Sequence, residues 1–336
     1  MIPPLTPTFD AALRDVKAQQ PRFRGAAAAR LAHAPTDRRD EAVQGLLSLA
    51  RDEVGAVREA AFESLGALGA REGLSTLLEA FEDEHIGARQ TAVLAVGRVA
   101  PDAGIDAIAA LLEDPRPEMR FSAIWTLSYL GAEQSERIAA ALGDRDDEVR
   151  ALAIQCLGEL GATGSVDAIA RCLDDASDSV RFAAATSLAT LGDARGAATL
   201  RASLDQPDRA FAAAVGLGDL ADRDSLAALT RLAKHRWRSP ILRAAAARAL
   251  VRLGDPAGAE VIRRIVRSWR IEARQYGVEL VGELGLTSLL PDVTRALRRS
   301  RRAERPVYES TLEQLAPKSE KAKALLASLR QTNHLP

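Results

Sequence analysis

One segment returns along this chain at a near-fixed spacing, and a repeat period constrains a fold more than any local motif does. Its clearest copy runs from Val149 to Gly161, VRALAIQCLGELG. The arginine at its second position has counterparts at Arg24, Arg58, Arg89, Arg120, Arg150, Arg181, Arg243, Arg274 and Arg305, with gaps of 34, 31, 31, 30, 31, 62, 31 and 31 residues. The 62-residue gap is two periods, because Phe211 to Leu220 aligns with Phe182 to Leu191 at its middle, with Ala210 in the arginine slot. That makes ten units, one of them without its arginine. In such an array length measures unit number, since each unit packs only on its neighbours.

Each unit carries two apolar segments at helical spacing, here called A and B. In the third unit Leu74, Leu77, Leu78 and Phe81 mark A, and Ala88, Ala92, Val96 and Val99 mark B. An apolar content of 47% with only 4% aromatic residues means a core of mostly Ala, Leu and Val, which suits closely packed helices. A glycine follows B at Gly69, Gly131, Gly161, Gly192, Gly254 and Gly285, where a left-handed residue ends a helix without a Cβ clash. In five consecutive units Asp52, Asp83, Asp114, Asp144 and Asp175 stand six residues before Arg58, Arg89, Arg120, Arg150 and Arg181. This places a carboxylate in the A–B turn and a guanidinium in the first turn of B, which stacking would align into a structural ladder.

The two-helix unit, the DxxxxxR spacing and endings such as LGELG, LATLG and LVRLGD resemble HEAT repeats, in particular the short bacterial kind named after phycobiliprotein lyases. The resemblance spans Phe9 to about Ala316. It implies an all-α fold, a right-handed α-solenoid of about ten two-helix repeats with B helices on the concave face. Residues 1–8 read as an extended N-terminal segment, 9–205 as an acidic repeat array and 206–224 as an irregular seam repeat. Residues 225–330 read as a basic array closed by a capping helix, and 331–336 as a disordered tail. The charge divides with the array: residues 226–336 hold 22 Lys and Arg against 10 Asp and Glu, and residues 1–225 hold 23 against 36.

Two surfaces are candidates for binding. Phe121, Trp125 and Tyr129 form one stripe of a B helix at i, i+4, i+8; Phe182 and Phe211 share the slot of Phe121, and Phe62 shares that of Ile124. Aromatics on the inner face suit a groove that receives a peptide or helix. The A–B turns of the last three units are basic: Lys234, Arg236, Trp237 and Arg238; then Arg267, Trp269 and Arg270; then Arg298, Arg299, Arg301 and Arg302. Such a ridge suits an acidic protein surface, nucleic acid, or the acidic half of a copy of the chain, and a solvated edge is the plain alternative.

Catalytic signals are poor. His33, His85, His235 and His334 lie in separate units, with none of the repeated His-Glu pairs by which HEAT-like hydroxylases hold iron. No phosphate-binding loop, dinucleotide fingerprint or nucleophile elbow is present, Cys156 and Cys172 read as small buried residues, and Glu159, Asp219 and Glu283 read as a polar groove floor. With two cysteines, no leader-like N-terminus and no long apolar run, the expectation is a cytoplasmic, non-enzymatic protein-binding scaffold without metal or cofactor. Self-association is open, and so are a partner-dependent chromophore lyase or chaperone role and a nucleic-acid-associated one.

Overall fold

The computed structural model describes residues 8–235 and 237–333; residues 1–7, Arg236, His334 and the end of the expected tail lie outside it. The described residues form an all-α solenoid of ten A/B helical pairs and a last helix, Glu320–Asn333, without a strand among them. That last helix takes in residues 331–333, which the sequence assigns to the tail, because nothing in Arg330 to Asn333 breaks a helix. The chain divides into two compact units, Met1–Cys172 with Ala176–Ala183, and Leu173–Asp175 with Ala184–Pro336, the division falling within the helix Asp178–Thr190. The seam at 206–224 lies inside the second of these.

Within the first unit successive B helices pack on one another: Pro21–Leu31 on Gly55–Ala67, that helix on Ile86–Val99, and so on through Pro117–Leu130 to Asp147–Glu159. The second unit repeats the arrangement with Ala210–Asp219, Pro240–Arg252, Ile271–Glu283 and Arg305–Leu315. Small residues let these backbones approach. A Cβ on Gly218 would lie 2.7 Å from the Cα and Cβ of Ala249, and one on Gly97 would lie 2.5 Å from the Cγ2 of Thr126. The buried hydroxyls on that side are satisfied within their own helix, Ser122 donating to the Glu118 carbonyl and Thr126 to that of Ser122, both at 2.8 Å.

The six glycines that follow B helices all have φ between 58° and 122°. In the seventh unit Ala221 fills this place at φ 51°, and the backbone still turns as it does elsewhere. Asp222 N–H donates to the Leu217 carbonyl there as Ala70 N–H does to that of Leu65, both at 3.0 Å. The helix stop is thus a property of the packed repeat, and the alanine carries the strain of a left-handed residue with a Cβ.

Candidate functional site

The A–B turns are tied from unit to unit by the arginine that defines the repeat. Arg58 donates from Nη1 to the backbone carbonyl of Asp52 in its own turn at 2.8 Å, then reaches Asp83 of the next unit from Nε at 2.7 Å and Nη2 at 2.6 Å. Arg24 with Asp52 and Arg120 with Asp144 repeat the bidentate pairing. Each of these aspartates also accepts the backbone N–H two residues on, at 2.8 to 2.9 Å, which sets the turn. Burial pushes their carboxyls upward, but the guanidinium and that N–H outweigh it and hold Asp52, Asp83 and Asp144 below the ordinary value of 3.8. Asp114 departs from the pattern. Its carboxylate is taken by Arg116 at 2.8 Å, so Arg89 turns to Glu118 at 2.8 Å and its Nε is left buried without a partner.

In the second unit no aspartate stands in the turns of the last three repeats, and Arg274 is anchored as Arg89 is, by one nitrogen to a glutamate with its Nε left buried without a partner. It donates to the Ser268 carbonyl at 3.1 Å and to Glu304 at 2.8 Å, a pair with side-chain exposures of 11% and 7%. Glu304 is displaced five residues from the expected slot, at Arg299, and the six-residue spacing therefore does not reveal it.

The B helix Pro117–Leu130 presents Phe121, Trp125 and Tyr129 outward, 37%, 53% and 69% exposed, while Met119, Ala123, Ile124 and Leu127 on its other side are fully buried. Phe121 and Trp125 join Gln90, Leu94 and Ser122 around an apolar hollow of about 310 Å³ between neighbouring B helices. A second hollow, of about 320 Å³, continues past Phe121 to Pro117, Glu118, Asp146 and Glu148. The two depressions meet at Gln90 and Phe121 and make a groove open to solvent; Tyr129, next along the stripe, lines neither and stands exposed beyond its end.

Phe62 does not belong to it. It is 1% exposed, because the fourth position after the repeat arginine is a core position in the first nine repeats: Ala28, Val93, Ile124, Ile154, Ala185, Ala214, Ala247 and Val278 at that slot are all fully buried, and only the terminal repeat, with Glu309, departs. Only the slots one, five and nine residues after the arginine face outward on the aromatic helix. Phe182 is half-buried, and Phe211, 42% exposed, stands in the other compact unit.

On the turns of the second unit, Trp237 and Trp269 are 83% and 82% exposed, so neither is packed under a neighbouring turn. Arg267, Trp269, Arg274, Asp292, Arg295 and Arg299 surround one hollow of about 240 Å³, which brings the ninth and tenth turns together. Lys234, Trp237 and Arg238, from the eighth turn, do not line it. Arg267 is tied to the buried Asp292 at 2.8 Å, and the Arg270 guanidinium lies 5.4 Å over the Trp269 ring. Arg298, Arg299, Arg301 and Arg302 make no ion pair among the described residues.

The inner-face acids of the second unit form a closed ionic lattice. Arg248 bridges Asp219 at 2.9 Å and Glu283 at 2.6 Å, and Arg252 adds contacts to both. Each carboxylate is neutralised by arginine, so the lattice is a floor and offers no acid/base pair. Burial pushes the Cys156 thiol up, away from the thiolate a nucleophile needs. Among the described residues no group of His, Cys, Asp and Glu is placed to hold a metal ion, and no helix is long and apolar enough to cross a membrane.

The pattern described as HEAT repeats matches residues 10–87, 74–137 and 135–215, and that of the PBS lyase HEAT-like repeat matches residues 242–268. No protein of curated function matches the chain in sequence. Among solved structures, the complex of CpcE and CpcF of phycocyanin lyase from Nostoc sp. PCC7120 is similar with a TM-score of 0.51 and 22% identity, over 67% of this chain and 94% of that one. The Escherichia coli protein YibA is similar with a TM-score of 0.55 and 18% identity, over 74% of this chain and 93% of that one. At these identities the likeness is one of fold.

Proposed function

Because the chain belongs to the HEAT-repeat family, we propose that it is a non-enzymatic scaffold whose aromatic groove receives an apolar or amphipathic segment of a partner protein. The observation that carries this is the stripe of Phe121, Trp125 and Tyr129, exposed together on a helix whose opposite side is fully buried. Three aromatics on one helix face have no role in the core they turn away from. Covering them would remove on the order of 300 Å² of apolar surface from water, about 7 kcal/mol before the costs of association.

Supporting this, the hollow between Phe121 and Trp125 is lined mainly by apolar and aromatic groups, and the Asp219 and Glu283 carboxylates of the second unit are engaged by Arg248. A photo-crosslinking side chain at position 125, introduced in the cell of origin, tests the proposal. A discrete protein adduct lost on Phe121→Ala with Tyr129→Ala, and missing when the crosslinker stands at Glu136 on an A helix, is the expected result. The same adducts from both positions would remove the groove from the account.

A second reading, partner-dependent handling of a chromophore, is favoured only by the repeat type matched at residues 242–268. Visible absorbance from a tetrapyrrole retained by the purified chain would support it, and its lack after incubation with bilin would set it aside.

A further inference from the structure

The A–B turns of the second to sixth repeats are acidic and those of the eighth to tenth are basic, and we infer that the chain associates with a second copy of itself, the basic turns of one copy seated on the acidic turns of the other. This does not rest on the groove, which lies on B-helix faces.

On the second unit's edge, Arg298, Arg299, Arg301 and Arg302 fall within five residues, are exposed and have no carboxylate in ion-pair range among the described residues. The acids nearest by sequence are engaged elsewhere: Asp292 is buried against Arg267 and Glu304 against Arg274. Like charges this close repel, and a surface supplying carboxylates relieves that repulsion. Trp269, 82% exposed beside them, adds apolar area of the kind that anchors protein interfaces.

The complement is present on the same chain. The turns of the first unit expose Glu53, Glu84, Glu113, Asp147 and Glu148; the first two reach Arg24 and Arg58 at 3.2 and 3.4 Å but keep side-chain exposures of 82% and 83%, so most of each carboxylate still faces solvent. Arg51 and Arg145 lie among them and lower the net charge without reversing it. Over the whole sequence the division is −13 for residues 1–225 and +12 for residues 226–336, so two copies carry matched opposite surfaces while each chain is nearly neutral. A polyanion such as nucleic acid would meet the basic turns equally well but would be repelled by the acidic ones, which a second copy uses.

The test is the mass of the purified chain by analytical ultracentrifugation or light scattering at low and high salt. At ~20 mM salt, where charges act over tens of ångströms, the mass is expected to rise from 35.9 kDa to at least twice that, and to return to the monomer value near ~0.5 M. Two charge-reversed variants sharpen it: Arg298→Glu with Arg299→Glu, Arg301→Glu and Arg302→Glu, and separately Glu53→Arg with Glu84→Arg, Glu113→Arg and Asp147→Arg. Each alone is expected to be monomeric at low salt, and an equimolar mixture is expected to restore the association. Circular dichroism and melting of each variant report whether it is folded. A wild-type chain that is monomeric at low salt overturns the inference, as does association that both variants retain. A monomer that binds a single-stranded oligonucleotide through the four arginines overturns it in favour of nucleic acid.

Discussion

Arg58 and Asp83, 25 residues apart, form a bidentate pair at 2.6 and 2.7 Å in which each side chain also fixes a turn. The arginine's remaining nitrogen holds its own A–B turn, and the aspartate accepts the N–H of His85. One residue per repeat thereby closes a turn and couples it to the next, which explains why the arginine recurs along the chain.

That coupling predicts a large cost for breaking a rung. Arg120 and Asp144 have side-chain exposures of 4% and 7%, so Asp144→Ala leaves a buried guanidinium without its counter-charge. A loss of about 3–5 kcal/mol is expected. Chemical denaturation of the variant measures it, and a loss below about 1 kcal/mol would mean that the pair is no more than a solvated surface bridge.

Acid dependence follows from the same groups. Asp52, Asp83 and Asp144 have folded-state values below 3.8 because the arginine and backbone donors outweigh burial. A lowered folded value stabilises at pH above the unfolded value, and that contribution is lost as pH falls through the folded one. Stability is therefore expected to drop as pH is lowered below about 4, with a smaller slope for Asp52→Asn with Asp144→Asn. Equal slopes would assign the acid transition to other carboxylates.

Ala221 offers a change in the opposite direction. Its φ of 51° places a Cβ where six other repeats have glycine. Ala221→Gly is expected to stabilise by about 0.5–1 kcal/mol, the relief of left-handed strain less glycine's greater chain entropy. A destabilised variant would show that the alanine methyl packs better than the strain costs.

Close approach of B helices predicts a steric penalty. Gly218→Val must displace Ala249, whose Cα would stand 2.7 Å from the new Cβ. A loss of about 1–3 kcal/mol or more is expected from thermal or chemical unfolding. A neutral result would mean that the two helices separate at little cost.

The period, the two helices per unit and the glycine stops were legible because they repeat, and repetition averages out local noise. The aromatic stripe was legible from i, i+4, i+8 spacing alone, since Met119, Ala123 and Leu127 mark the opposite side. Phe62 was misplaced because the outward slot lies one residue from a core slot, about 100° around the helix. Comparing that slot across units, where Ala28, Val93 and Ile154 are all apolar, carries the signal that it is core. Glu304 could not be found by spacing, because its approach to Arg274 depends on how the tenth turn folds rather than on a fixed offset. The lattice of Asp219, Arg248, Arg252 and Glu283 likewise joins three helices, and only the acids' shared slot hinted at it.

The central claim is that the groove at Phe121, Trp125 and Tyr129 is a binding surface. Emission from Trp125, isolated by Trp237→Phe and Trp269→Phe, reports it directly when the segment crosslinked from position 125 is titrated in as a synthetic peptide. A saturable blue shift is expected, with affinity weakened about 30-fold or more by Phe121→Ala, the loss of about 2 kcal/mol typical of an aromatic anchor. Emission that stays unshifted while the peptide binds, or an affinity indifferent to Phe121→Ala, would contradict the account.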